Sequence, residues 1–323
     1  MSASTAKVTA VQSSPDRLTL IAFASFVILA GSVAIAVRFT FGQLAPFWGG
    51  AFRFGAAALI FWTLMLIRKV RVPKGRSLIG ALLFGTLSVG LAMSLAYYGL
   101  TKTEASLYST TVAIVPLLTL LFASAHGIER FSRRGLAGGL LAITGIAVAV
   151  SGSLFSGVEI SPAHYLAVIA AAACFAEAGV IVKLFPPCHP FATSAVGMTI
   201  GAIMLAAVSL ISGEAWALPT TLPVWLTLIY IILGGTVGTF LLYLHVLTRW
   251  TATATSYGFV LIPVVTVVLA TLFTDETITL IFLAGSVVVL LGVYVGALAK
   301  GKKEEPGPVE EDLQARPGTP SCV

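Results

Sequence analysis

Residues 105–145 read ASLYSTTVAIVPLLTLLFASAHGIERFSRRGLAGGLLAITG, and residues 252–292 read ATATSYGFVLIPVVTVVLATLFTDETITLIFLAGSVVVLLG. Laid over one another at an offset of 147, the two stretches share Ala105/Ala252, Ser109/Ser256, Pro116/Pro263, Thr119/Thr266, Ala123/Ala270, Glu129/Glu276, Gly138/Gly285 and Gly145/Gly292. Widened to 95–148 over 242–295, the ungapped match holds fourteen identities. Upstream it weakens and slips by a residue. Ala30-Gly31-Ser32 through Arg38 then lies over Phe175-Ala176-Glu177 through Lys183, and Pro46-Phe47 over Pro190-Phe191. Self-similarity of this length means that one structural unit has been duplicated.

The unit is a set of membrane helices. Of 323 residues 58% are hydrophobic and 10% charged, where an ordinary soluble domain carries about 25% charge. That excludes a soluble enzyme, a disordered chain and a secreted disulfide scaffold. Apolar runs broken by charge, Pro or Gly clusters give ten spans, near 18–37, 46–67, 78–100, 105–125, 134–154, 163–184, 190–212, 223–247, 253–273 and 279–299. Each is close to the ~20 residues that cross a bilayer, and none alternates as a barrel strand would. The first run is too long for a cleaved signal peptide, and the repeat needs it. The spans group as one five-helix repeat over 18–154 and a second over 163–299. Residues 1–17 form a polar N-terminal segment, and the charged, Pro/Gly-rich tail 300–323 is expected to be disordered.

Charge gives the orientation. Sixteen of the 19 Lys and Arg fall in loops and ends on one side, including Arg68–Arg76, Arg130–Arg134 and Lys300–Lys303. Arg38, Arg53 and Lys102 belong to the other. The positive-inside rule then puts both termini in the cytoplasm of a bacterial-type inner-membrane protein. Five spans per copy is odd, so the copies must be inverted. The loops agree: Arg130, Arg133 and Arg134 follow Glu129, whereas Thr277, Leu280 and Ile281 follow Glu276. The net charge of +6 is therefore a topology signal, and no nucleic-acid partner is expected. Cys174, Cys188 and Cys322 form no CxxC pair, and no metal site is expected.

Polar groups inside a membrane are costly and usually face a cavity. Here they cluster at repeat-related places. Ser94, Tyr97, Tyr98, Ser106, Tyr108, Ser109 and Thr110 fall on spans 3–4, and Thr239, Tyr243, His245, Thr253, Thr255, Ser256 and Tyr257 on spans 8–9. Singly, these are explained by interfacial belting or helix–helix hydrogen bonds. As two clusters they point to a cavity for a small amphipathic solute, with Ser32 a further candidate on span 1. Glu177 is the one acid of thirteen deep in a span. It suits a proton acceptor, a ligand for a substrate amino group, or the partner of a basic residue. Arg53 could bind a carboxylate or snorkel outward, and His245 is expected at the interface. Pro116 and Pro263 each remove a backbone donor, making a matched pair of hinges or static kinks. Gly145-x-x-x-Ala149 and Gly292-x-x-x-Gly296 read as close helix packing, within one chain or in a homodimer. Gly296 through Lys303 imitates a phosphate loop but lacks its Ser or Thr and its strand. No catalytic set and no cofactor is expected; membrane lipids and a small-molecule substrate are the partners.

Inverted repeats mark secondary transporters, with the substrate site near the midplane between copies, although duplication also builds non-transporting scaffolds. At Tyr98-Gly99-Leu100, Thr103, Ala105, Pro116-Leu117, Glu129, Gly138 and Gly145, and again at Leu247, Ala252, Pro263, Glu276, Gly285 and Gly292, the chain resembles the drug/metabolite transporter superfamily in its ten-helix EamA-type form. The resemblance covers essentially all of 18–299 and looks closest to the YddG-type amino-acid exporters. It departs at Ala30, where the family often has Trp, and at Glu177, where an apolar residue is commoner. The resemblance implies an all-α polytopic protein exporting amino acids or similar metabolites by alternating access around a cavity walled by spans 1, 3, 4, 6, 8 and 9. An importer or exchanger of anionic phosphorylated metabolites is the alternative within transport. A membrane-embedded enzyme or lipid-handling protein is the alternative outside it.

Overall fold

The computed structural model describes residues 17–128, 133–155, 161–250, 252–256, 258–273 and 279–295. Glu129, Tyr257, Glu276 and the tail expected at 300–323 lie outside these residues. The described chain is helical. Eight helices are long and apolar enough to cross a membrane: Arg17–Thr40, Pro46–Ile67, Arg76–Leu100, Ala105–Ala125, Pro162–Leu184, Pro190–Ile211, Leu222–Arg249 and Ala254–Phe273. The shorter apolar stretches Ala137–Ala149 and Leu280–Gly292 complete ten spans, numbered 1–10 in chain order. A 22-residue helix such as Pro46–Ile67 is about 33 Å long at 1.5 Å per residue, enough for a ~30 Å hydrocarbon core. Leu59, Leu66, Ile203, Ile211 and Leu272 are exposed on outward faces, where lipid rather than water is the fitting solvent.

Span boundaries follow local backbone chemistry. Pro46, Pro162, Pro190 and Pro223 sit in the first turns of spans 2, 6, 7 and 8. There a missing N–H costs nothing and a fixed φ favours the helix. Span 4 is broken into Ala105–Val112 and Val115–Ala125, so Pro116 starts a new helical segment. Pro263 instead lies inside the α-helix Gly258–Phe273. The matched breaks expected at the two prolines are therefore not matched: one opens a helix, the other interrupts the bonding of a continuous one.

The packing obeys the duplication. Span 2 lies along span 7 and span 5 along span 10, while span 1 packs on spans 8 and 9 just as span 6 packs on spans 3 and 4. Exchanging each span for its repeat partner leaves this pattern unchanged. Small residues bring the backbones together at the crossings. A Cβ on Gly85 of span 3 would lie 2.3 Å from Gly197 Cα of span 7. Gly145 would meet the Val289 nitrogen at 2.5 Å, and Gly285 the Ala149 nitrogen at 2.3 Å. Gly145, Ala149, Gly285 and Gly292 thus meet between spans 5 and 10 of the same chain, and Gly296 lies outside the described residues.

Loops assigned by charge to one side also meet on one side. Gln43 accepts from the Thr220 backbone N–H at 2.8 Å and donates to Thr221 Oγ1 at 2.7 Å. Glu214 accepts from the Phe47 and Trp48 N–H groups at 3.1 and 2.7 Å. A carboxylate there satisfies orphan donors at the start of span 2 and faces the positive end of its helix dipole.

Spans 3 and 8 each contain a feature that apolar periodicity does not announce. Residues Thr86–Leu91 and Leu233–Gly238 are π-helical. They stand at the same offset of 147 that aligns the repeat. π-Turns leave backbone groups without their usual α-helical partners and recur at functional sites.

Candidate functional site

A cavity of about 120 Å³ lies where the two repeats meet, with room for several waters or one small solute. Spans 1, 3, 4, 6, 8 and 9 line it, as expected from the polar clusters and the family resemblance together, and span 2 joins them through Arg53. On span 1 the lining residues Ala30, Val33, Ala34 and Val37 follow i, i+3, i+4, i+7, a single helix face. Ala30, the position where the family often has Trp, faces the cavity, so the small side chain enlarges it. One wall is aromatic. The Phe26 ring lies 5.6 Å from Tyr243 and 5.9 Å from Phe259, and Phe175 lies 5.9 Å from Phe259. These edge-on and tilted rings offer an apolar surface.

Arg53, 3% exposed, also lines the cavity. Its Nε donates to Thr236 Oγ1, Nη1 donates to the Tyr97 hydroxyl at 3.3 Å, and Nη2 donates to the Gly235 carbonyl at 2.9 Å. The guanidinium carbon lies 4.9 Å from the centre of the Phe54 ring. Gly235 and Thr236 belong to the π-helical turn of span 8, whose Thr236 Oγ1 also donates to Ile231 O, five residues back, at 2.8 Å. The π-turn thus presents a carbonyl and a hydroxyl to the cation. Among the described residues no carboxylate pairs with Arg53.

Of the expected site residues, Tyr97, Ser109, Thr239 and Tyr243 line this cavity. Ser32, Ser94, Tyr98 and Glu177 do not. Ser32 donates to Leu29 O at 2.8 Å and bonds the Tyr230 hydroxyl. Ser94 donates to Gly90 O at 2.7 Å. Tyr98, 39% exposed, stacks on His164 at 4.1 Å. Glu177 meets His126 Nε2 at 2.7 Å, both partly exposed, so it is the partner of a basic residue rather than a ligand in the cavity. The reason is rotational. Each helical residue turns about 100°, and Phe175 and Ala178 face the cavity, which turns Glu177 away. Tyr257 lies outside the described residues.

The sequence reading missed the aromatic wall of Phe26, Phe175 and Phe259, and both π-turns. Glycines were the available signal for the latter: Gly90 in one turn, and Gly234, Gly235 and Gly238 in the other. Towards the end bearing Lys183, a second pocket of about 220 Å³ is lined by Ser77, Ala81, Lys183, Cys188, Leu244 and Thr248. Between it and the first cavity stand the edge-on rings of Phe84 and Phe240, with centroids 6.4 Å apart.

Ten apolar spans in a duplicated arrangement, with a polar-dotted cavity between the copies, define a polytopic membrane transporter. Residues 17–151 and again 163–297 match the EamA-like transporter family, and the chain belongs to that family, within the drug/metabolite transporter superfamily. It is 28% identical over 278 residues to the uncharacterized inner membrane transporter YedA of Escherichia coli K12, covering 84% of this chain and 88% of the relative. It is 25% identical over 282 residues to the uncharacterized transporter YyaM of Bacillus subtilis, covering 84% and 91%. A solved structure titled only as a crystal structure of protein superposes with a TM-score of 0.68 at 18% identity, over 87% of this chain and 96% of its own. That likeness supports the fold alone.

Proposed function

We propose that this transporter exports amino acids or similar small amphipathic metabolites across the inner membrane, with both termini in the cytoplasm. The observation that carries the reading is the cavity between the repeats, whose lining combines aromatic rings with a buried cation among hydroxyls. An amphipathic solute matches both. Access alternates as the repeats rock around this cavity, Phe84 and Phe240 closing it towards the cytoplasmic pocket. Sixteen of 19 basic residues on one side support the orientation. For phosphorylated metabolites, several cations would be needed to match a dianion, and Arg53 is the one basic residue among those lining the cavity.

Purified protein in liposomes, loaded with unlabelled phenylalanine and given labelled phenylalanine outside, tests the reading. Exchange above that of protein-free liposomes is expected, and repeating it with and without a pH gradient reports proton coupling. Exchange of labelled glucose 6-phosphate but not phenylalanine would contradict the reading.

A further inference from the structure

We propose that the cavity selects its solute by a carboxylate seated on Arg53, and that it has no requirement for an α-ammonium group. The inference rests on the export reading above and narrows its substrate class to amphipathic carboxylates, of which amino acids are one case.

Four observations converge. First, a guanidinium keeps its charge when buried, and burying it without a counter-ion is costly. Arg53 is held by a hydroxyl from Thr236, a hydroxyl from Tyr97 and the Gly235 carbonyl, all neutral. Second, the scaffold does not need the cation. At the repeat-related position of span 7 stands Gly197, aligned through Pro46/Pro190, which carries no charge and packs closely on Gly85. Third, a guanidinium has five N–H donors, and three are engaged here, one on each nitrogen. One N–H on each terminal nitrogen is left, and a carboxylate is a group that takes charge-assisted hydrogen bonds from a guanidinium. Fourth, no carboxylate among the described residues lines the cavity to pair with an ammonium. The three acids among the described residues are Glu104, Glu177 and Glu214, and none lines it. Glu177 is engaged with His126, and Glu214 with the start of span 2. An ammonium in the cavity would find hydroxyls and ring faces for partners but a like charge for a neighbour.

The ranking follows: organic acid at least as good as amino acid, and both far better than amine. Three probes share one phenylethyl body: 3-phenylpropionate, phenylalanine and phenethylamine. Each is added as competitor to labelled phenylalanine exchange in proteoliposomes of the parent protein. We expect 3-phenylpropionate to inhibit at or below the concentration needed for phenylalanine, and phenethylamine to need at least tenfold more. Arg53→Lys should keep the preference for acids with weaker inhibition. Arg53→Gln should reduce the acid-to-amine ratio at least tenfold, read by ligand-induced shifts in thermal unfolding if exchange is too slow. Phenethylamine inhibiting as well as 3-phenylpropionate would overturn the inference and leave the export reading standing. So would phenylalanine exchange that 3-phenylpropionate leaves untouched. No exchange of phenylalanine and no thermal shift with any probe would overturn both. The parent-only comparison does not depend on any variant folding.

Discussion

Two charged residues within the membrane behave oppositely, and the difference is one of helix rotation. Arg53 faces the cavity, and Glu177 faces His126. Ser32 and Glu177 occupy equivalent places in the two repeats, and neither lines the cavity. Glu177→Gln should therefore leave phenylalanine exchange within about twofold of the parent. Tyr243→Ala removes a ring packed on Phe26 and Phe259. Tyr243 also lines the cavity, and an aromatic pair is worth about 0.5–1.5 kcal/mol beyond its area, so a solute ring that loses this one partner should bind about two- to tenfold more weakly, while Tyr243→Phe stays close to the parent. Side-by-side exchange kinetics of the three variants check both statements. The identity of polar candidates was legible in the sequence, but their direction was not. Tyr97 lines the cavity while Tyr98 beside it stacks on His164, and no polarity scale separates adjacent tyrosines. What separates them is which face of span 3 its neighbours cover.

At the level of elements, spans and their punctuation were readable because proline and hydropathy act locally. Pro46 and Pro190 start helices where a first turn tolerates them. The π-turns were not readable, since an extra residue in a helical turn leaves apolar content unchanged. Their glycines also serve packing: a Cβ on Gly235 would lie 2.8 Å from Val33. Close approach matters equally at spans 5 and 10. A Gly285→Leu substitution would drive a side chain into the Ala149 backbone. Overpacking of this kind costs about 1–3 kcal/mol, so the detergent-solubilised variant should unfold at a lower temperature than the parent. Leu283→Ala, on a face 38% exposed, should change the midpoint less. Equal midpoints for Gly285→Leu and the parent would show that the two spans are not tightly joined.

Across the whole molecule, the duplication legible at an offset of 147 reappears as an interchange of packing partners and as a pair of π-turns. A two-copy structure naturally leaves a seam, and the cavity occupies it. Asymmetry then supplies chemistry: Arg53 stands where the other copy has Gly197, and small Ala30 stands where Phe175 projects. The claim that this seam is the transport route is tested most directly at Ala30. In a protein carrying Cys174→Ser, Cys188→Ser and Cys322→Ser, an Ala30→Cys substitution places one thiol in the cavity. Phenylalanine exchange is measured before and after reaction with a bulky maleimide. The account predicts that exchange falls to the protein-free level once the thiol is labelled. Exchange continuing at the unlabelled rate with the thiol fully modified would contradict it.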